Sequence, residues 1–149
     1  MTSNSASDSA ATGGATAGGL NPFKPRLSHV AYHVADVDRA LHFYVHVLGM
    51  KEQVRLQLGK TLHEVVLGFV DARAGGVILM WDTERKGPIE QAHGYSRLVL
   101  SVADVDGAIR HLDKHGTPVV KQVTEAGAFR YALIKDPDGY VIELLQIKR

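Results

Sequence analysis

From Leu27 to Val34 apolar and β-branched residues run together. After a break at Ala35-Asp36 the period changes: Val37, Ala40, Leu41, Tyr44 and Val47 fall three and four apart, the spacing of one helix face. Asp36 stands where a helix N-cap belongs, because its carboxylate can accept from the open N–H groups of the first turn. The chain therefore opens as strand then helix, and three strand-like runs follow at 52–58, 61–70 and 76–82. The same succession returns from Tyr95. A strand reaches Val102, Asp104 caps a helix with Val105, Ala108, Ile109 and Leu112 as its buried stripe, Gly116 stops it, and runs follow at 118–124, 128–135 and 140–147.

The recurrence extends to identity. Val34-Ala35-Asp36-Val37-Asp38-Arg39-Ala40-Leu41 comes back as Val102-Ala103-Asp104-Val105-Asp106-Gly107-Ala108-Ile109, 68 positions on. The pattern predicts an α+β fold of two tandem βαβββ modules, about 27–82 and 95–147, within one domain over 21–149 that begins near Asn21 or Leu27. Residues 1–20, nearly all Ser, Ala, Thr and Gly, cannot bury enough apolar surface to offset their ordering entropy and read as a disordered tail. Asp136-Pro137-Asp138-Gly139 has the residues of a tight hairpin, and Asp71 to Gly76 fills the same slot in the first module.

Composition mainly excludes. At 149 residues, 45% of them hydrophobic, the chain can bury one core. Seventeen basic against sixteen acidic residues give a net charge of +1, no footprint for nucleic acid or an anionic membrane. No apolar run is long enough to span a bilayer, and the N-terminus lacks the features of a secretory signal or transit peptide. The absence of cysteine removes thiolate ligands, disulfides and a cysteine nucleophile and fits a cytoplasmic protein. With nucleic acid and membrane set aside, the expected partner is a small molecule.

Leu27-Ser28-His29-Val30, Phe43-Tyr44, Val47-Leu48-Gly49-Met50 and Asp136-Pro137-Asp138-Gly139-Tyr140-Val141-Ile142-Glu143-Leu144 together resemble the vicinal oxygen chelate superfamily. That group includes glyoxalase I, methylmalonyl-CoA epimerase, extradiol dioxygenases, fosfomycin-resistance enzymes and bleomycin-resistance proteins. The resemblance implies paired βαβββ modules whose curved mixed sheets enclose a cleft, commonly completed across a homodimer. It also implies a divalent ion (Zn, Ni, Mn or Fe) held by two ligands from each module, one on the first strand and one, usually Glu, on the last.

Set against that implied quartet, the repeat shows losses. His29 is the first-strand residue of module one, and its partner in module two is Arg97, which has no lone pair to give. Glu143 is the last-strand residue of module two, and laying Gly139 to Leu144 over Gly75 to Met80 makes Leu79 its partner. His29 and Glu143 alone remain as metal ligands, and two protein ligands rarely hold a catalytic ion. His33 would be a third to test, although an i, i+4 pair on a strand lies roughly 13 Å apart.

Alternation along the strands predicts which residues share the cleft: His29 and His33 on the first strand, Arg97, Val99 and Ser101 on its counterpart, Val77, Leu79 and Trp81 on the last strand of module one, and Val141, Glu143 and Leu145 on that of module two. His29, Glu143 and Arg97 are the catalytic candidates. Arg97 would stabilise an oxyanion in the ion's place, Glu143 would be the base, and His29 an acid or second base. His33, Trp81, Leu79, Ser101 and Arg130 are the substrate-binding candidates. For Arg97 and Glu143 the alternative is a self-satisfied ion pair with no further role. His42, His46, His111 and His115 read as solvated helix positions, His63 has no assigned face, and His93 could cap the cleft mouth.

Three functions follow. The first is a lyase, isomerase or epimerase that moves a proton on a small oxygenated metabolite without a resident metal. The second is a metal-free binding protein of the bleomycin-resistance type, disfavoured by an aromatic content of only 7%. The third is a glyoxalase- or dioxygenase-type metalloenzyme with a rearranged ligand set.

Overall fold

The computed structural model describes residues 28–70, 75–92 and 94–148. The expected tail, the domain start near Asn21 or Leu27, most of the Asp71 to Gly76 connection and His93 lie outside them. The first module runs β1 (His29–His33), α1 (Val37–Leu41) continued by a π-helical turn (His42–Val47), β2 (Lys51–Gln57), β3 (Leu62–Gly68) and β4 (Gly76–Asp82). The second runs β5 (Leu98–Ser101), α2 (Val105–Lys114), β6 (Val119–Ala126), β7 (Phe129–Lys135) and β8 (Val141–Ile147).

Each module makes one four-stranded mixed sheet, in the order β1-β4-β3-β2 and β5-β8-β7-β6. The first strand pairs in parallel with the last, as a strand–helix–strand crossover permits, and the remaining pairs are antiparallel hairpins. Two tandem βαβββ units are thus present. The outer strands carry matching irregularities, between Glu52 and Val54 on β2 and between Val119 and Lys121 on β6, where bulges blunt an edge that would otherwise invite pairing.

The two helices start identically. Asp36 accepts from Arg39 N at 3.0 Å and Asp104 from Gly107 N at 2.9 Å, so each cap satisfies an open donor of the first turn. Both end on glycines at positive φ, Gly49 at 77° and Gly116 at 67°. From cap to stop the first helix is one residue longer than the second, and the π-helical turn absorbs the extra residue: Leu48 N donates to Phe43 O, one residue wider than an α turn.

One apolar core draws on both modules. It takes Tyr32, Val34, Val65, Leu67, Val77 and Leu79 from the first sheet, Ala132, Ile134, Ile142 and Leu144 from the second, and Ala40, Phe43, Tyr44, Val47, Val105 and Leu112 from the helices. The Asp136 to Gly139 turn does more than reverse the chain. Its Asp136 side chain accepts from Tyr44 Oη at 2.8 Å, while Asp138 accepts from Ala35 N at 3.2 Å and Arg39 Nη2 at 3.1 Å, so the hairpin docks on the first module's helix.

The β1–β4 and β5–β8 registers correct the overlay of the last strands. Ala31 lies beside Ile78, and its repeat partner Val99 lies beside Glu143. The counterpart of Glu143 is therefore Ile78, not Leu79. A slip of one residue exchanges the two faces of a strand. Leu79 and Val77 are buried in the core, and Trp81 lies on their side of the sheet, stacked on its cross-strand neighbour His63 with centroids 5.3 Å apart. The expected cleft positions of Val77, Leu79 and Trp81 are corrected accordingly.

Candidate functional site

With one face of each sheet packed on the helices, the other is left open. On the second sheet that face carries Arg97, Val99 and Ser101 along one edge, then Val141, Glu143 and Leu145, then Leu133, Tyr131 and Phe129. A cleft of about 500 Å³ forms over it, lined by Arg97, Lys121, Ala126, Phe129, Tyr131, Leu133, Glu143 and Leu145. Its floor is apolar and its charges are few, the combination expected of a small-molecule site.

Arg97 Nε donates to Glu143 Oε2, and Arg97 Nη1 reaches Ser96 Oγ at 3.3 Å. The Glu143 side chain is 12% exposed and that of Arg97 is 45% exposed, so the carboxylate is set into the sheet while the guanidinium faces outward. Across the cleft, Lys121 donates to the Tyr131 hydroxyl and sits 4.7 Å from the ring centroid. Two cations and one carboxylate therefore ring an apolar floor. Lys121 is absent from the sequence candidates; of the neighbours Arg130 and Tyr131, one of which the alternation sends to the cleft, Arg130 is the one selected. The strand alternation that places Glu143 on this face also places Leu133 and Tyr131 there, once β7 is paired with β8.

Arg130, the residue selected from this strand, points the other way. Its guanidinium is held at 2.6 Å by Asp106 at the start of α2 and at 2.7 Å by Glu125. Arg130 lowers the pKa of Asp106, and Lys148 together with Arg130 lowers that of Glu125; the fork ties β7 to the helix rather than serving the cleft. Ser101 shares the face of Arg97 and Val99 but lies at its far end, outside the lining of the Arg97–Glu143 cleft.

His29 and His33 occupy the open face of the first sheet, as alternation on β1 predicts. The cleft that Arg97 and Glu143 line contains no residue of that sheet. His29 Nδ1 and Ser28 Oγ are hydrogen-bonded at 2.7 Å, which leaves Nε2 over Gly76. A Cβ at Gly76 would stand 2.1 Å from the Leu67 carbonyl oxygen and 2.8 Å from the His29 ring, so the backbone itself demands glycine here and the imidazole lies against the space it leaves. The neighbouring Gly68 is covered in the same way by the side chain of Gln53, the bulged residue of β2. Two rows further along the same face, Met80 separates His33 from Glu64.

The implied metal quartet maps onto His29, Ile78, Arg97 and Glu143. Ile78 and Arg97 have no electron pair to donate, and Glu143 is already engaged by Arg97. Among the described residues no group of three or more His, Asp or Glu side chains is arranged to hold a cation. The residues present do not fit a four-ligand ion.

The buried polar groups lie elsewhere, where the modules meet. Tyr32 Oη donates to Tyr44 Oη at 2.6 Å, Tyr44 Oη to Asp136, and Asp136 also accepts from Asp138 N and Tyr140 N. Burial raises the pKa of Tyr32, Tyr44 and Asp136 alike. Tyr140 Oη donates to His33 O at 2.9 Å, fixing the end of β1 to the second module.

No described helix is long and apolar enough to cross a membrane. Comparison with known proteins agrees with this architecture. Residues 26–144 match the model of the Glyoxalase/Bleomycin resistance protein/Dioxygenase superfamily. The chain is 31% identical over 132 residues to a lactoylglutathione lyase of Neisseria meningitidis, covering 83% of this chain and 91% of that one. It is 29% identical over 129 residues to a probable lactoylglutathione lyase of Vibrio cholerae, covering 83% and 92%. The trypanothione-dependent glyoxalase I of Leishmania major superposes with a TM-score of 0.72 at 28% identity, over 82% of this chain and 86% of that one. A repeated βαβββ unit, an open sheet face carrying Glu143 and this likeness over most of the chain lead to one assignment: the chain belongs to the Glyoxalase/Bleomycin resistance protein/Dioxygenase superfamily.

Proposed function

We propose that this chain is a lyase that moves a proton between adjacent carbons of a small hydroxyacyl or α-oxocarbonyl compound, without a resident metal. The observation that carries the reading is the Arg97–Glu143 pair on the floor of an apolar cleft, at positions where a metal-dependent relative would hold ligands. Incoming carbonyl or carboxylate oxygen competes with Glu143 for the guanidinium. Once displaced, Glu143 is an unpaired carboxylate on the cleft floor, free to accept a proton. It removes the proton from the carbon beside the carbonyl, the electron pair becomes an enediolate whose oxygen Arg97 holds, and the proton returns to the neighbouring carbon. No oxidant or reductant is required. Lys121 and Tyr131 bind the far, anionic end of the substrate.

A second copy of the chain completes the site by laying its His29 face over the Glu143 face of the first. The support is unpartnered apolar surface on both open faces: Val54 and Leu56 on the first sheet are 43% and 45% exposed, Phe129 and Val99 on the second 43% and 46%. Trp81 and Leu79, being on the helix side, take no part, and His33 is left as the residue bordering the substrate from the partner's sheet.

The relatives are named for lactoylglutathione, and S-lactoylglutathione is the first probe. In D₂O the enzyme is expected to exchange the proton on the lactoyl carbon that bears the hydroxyl, seen by NMR as loss of that signal. Glu143→Gln should slow exchange by roughly 10²-fold or more. Exchange undiminished in Glu143→Gln overturns the assignment of the base. Saturable binding with no exchange favours the binding-protein alternative.

A further inference from the structure

Away from the sheet faces, each helix carries a pair of histidines at i and i+4. His42 and His46 lie in the π-helical turn and His111 and His115 at the end of α2, and all four are exposed. Residues four apart on a helix share a face, which is why this spacing serves metal sites. The His42 and His46 ring centroids are 5.5 Å apart, those of His111 and His115 4.8 Å. Two imidazole nitrogens at the usual distance from one tetrahedral ion bring their rings to about 5 Å, so both pairs stand near the separation a shared ion requires.

They are not equally available. His111 Nε2 is hydrogen-bonded to Val47 O at 2.9 Å, a contact between the helices that ligation through that nitrogen would break. The imidazoles of His42 and His46 make no hydrogen bond to any described residue, and the wide turn that presents them is of a kind often found at functional positions.

We propose that His42 and His46 form a surface chelate for a borderline divalent cation of the Cu²⁺, Ni²⁺ or Zn²⁺ type, with water in the remaining coordination positions. Such a site is separate from the Arg97–Glu143 cleft, since its ligands project from the first module's helix. Affinity follows the order set by imidazole donors, Cu²⁺ ahead of Ni²⁺ and Zn²⁺.

The test is a Cu²⁺ titration at neutral pH of the full chain, followed by calorimetry and electron paramagnetic resonance, with thermal melts alongside. The wild-type chain is expected to take up one tight equivalent showing nitrogen coordination and to gain thermal stability from it. His42→Gln and His46→Gln should each weaken that equivalent no less than about tenfold and abolish the gain in stability. His29→Ala and His115→Gln should leave it in place. Both tested side chains are exposed, and unchanged circular dichroism would establish that the variants are folded. An equivalent unaltered in His42→Gln and His46→Gln, or one lost in His29→Ala, overturns the proposal.

Discussion

Tyr44 gives its hydroxyl proton to Asp136 at 2.8 Å, and this bond joins the first module's helix to the last hairpin of the second. Both residues are buried, so the bond replaces water that neither could otherwise reach. Tyr44→Phe keeps the ring and removes the donor, leaving the Tyr32 hydroxyl and one Asp136 oxygen without their partner. The expected loss is about 1–3 kcal/mol in urea denaturation. A change within about 0.5 kcal/mol would mean that the modules are held by apolar contact alone.

Asp136 also sets a pH dependence. Desolvation raises its pKa, outweighing the hydrogen bonds from Tyr44, Tyr140 and Asp138 that pull it down. A carboxyl with a raised folded value favours the fold while protonated. Its contribution is complete below the ordinary 3.8 and is lost as pH rises through the folded value. Glu52, Asp82, Asp106 and Glu125, all lowered, act oppositely and lose their contributions only below the ordinary carboxylate range. Between that range and neutrality Asp136 therefore stands alone among the shifted carboxylates. The stability of the wild type relative to Asp136→Asn should grow as pH falls from neutrality to the ordinary carboxylate range; a gap that stays flat or narrows contradicts the buried carboxylate.

The corrected register makes its own prediction. Leu79 is fully buried, whereas its neighbour Ile78 lies on the open face. Leu79→Ala should cost about 2–5 kcal/mol in chemical denaturation, and Ile78→Ala markedly less. Reversal of that order would restore the overlay that pairs Leu79 with Glu143.

Two substitutions should rebuild what the sequence has lost. Arg97→His together with Ile78→Glu places donors at all four positions of the implied quartet, in the ligand types that suit zinc or nickel. The double variant should gain one tightly held ion per site by elemental analysis, and neither single variant should match it. Equal metal content in the single and double variants would show that these four positions do not converge in the assembled protein.

Much of the fold could be read in advance, because the two periods are written plainly: helical stripes after Asp36 and Asp104, strand-like runs elsewhere, and a motif repeated within the chain. The open-face placement of His29, Arg97 and Glu143 follows from the same alternation. Three features could not be read this way. Leu79 was misplaced because an overlay of two apolar strands has nothing to fix its phase, and only pairing with β1 does so. Arg130 was chosen over Tyr131 because a sequence cannot show that Asp106 and Glu125 wait on the helix side. Lys121 depended on irregularities in β6, which shift side chains between faces in a way no period announces.

The extra residue in the first helix bears on how the copies have stayed alike. Held between identical aspartate caps and glycine stops, it is taken up as local slack in the π-helical turn. The sheets downstream never feel it: strand order and pairing remain common to both halves. A change of length on the helical side can therefore be absorbed without altering the strand order beneath it, and the open face proposed for the chemistry is mechanically insulated from the side that takes up the extra residue.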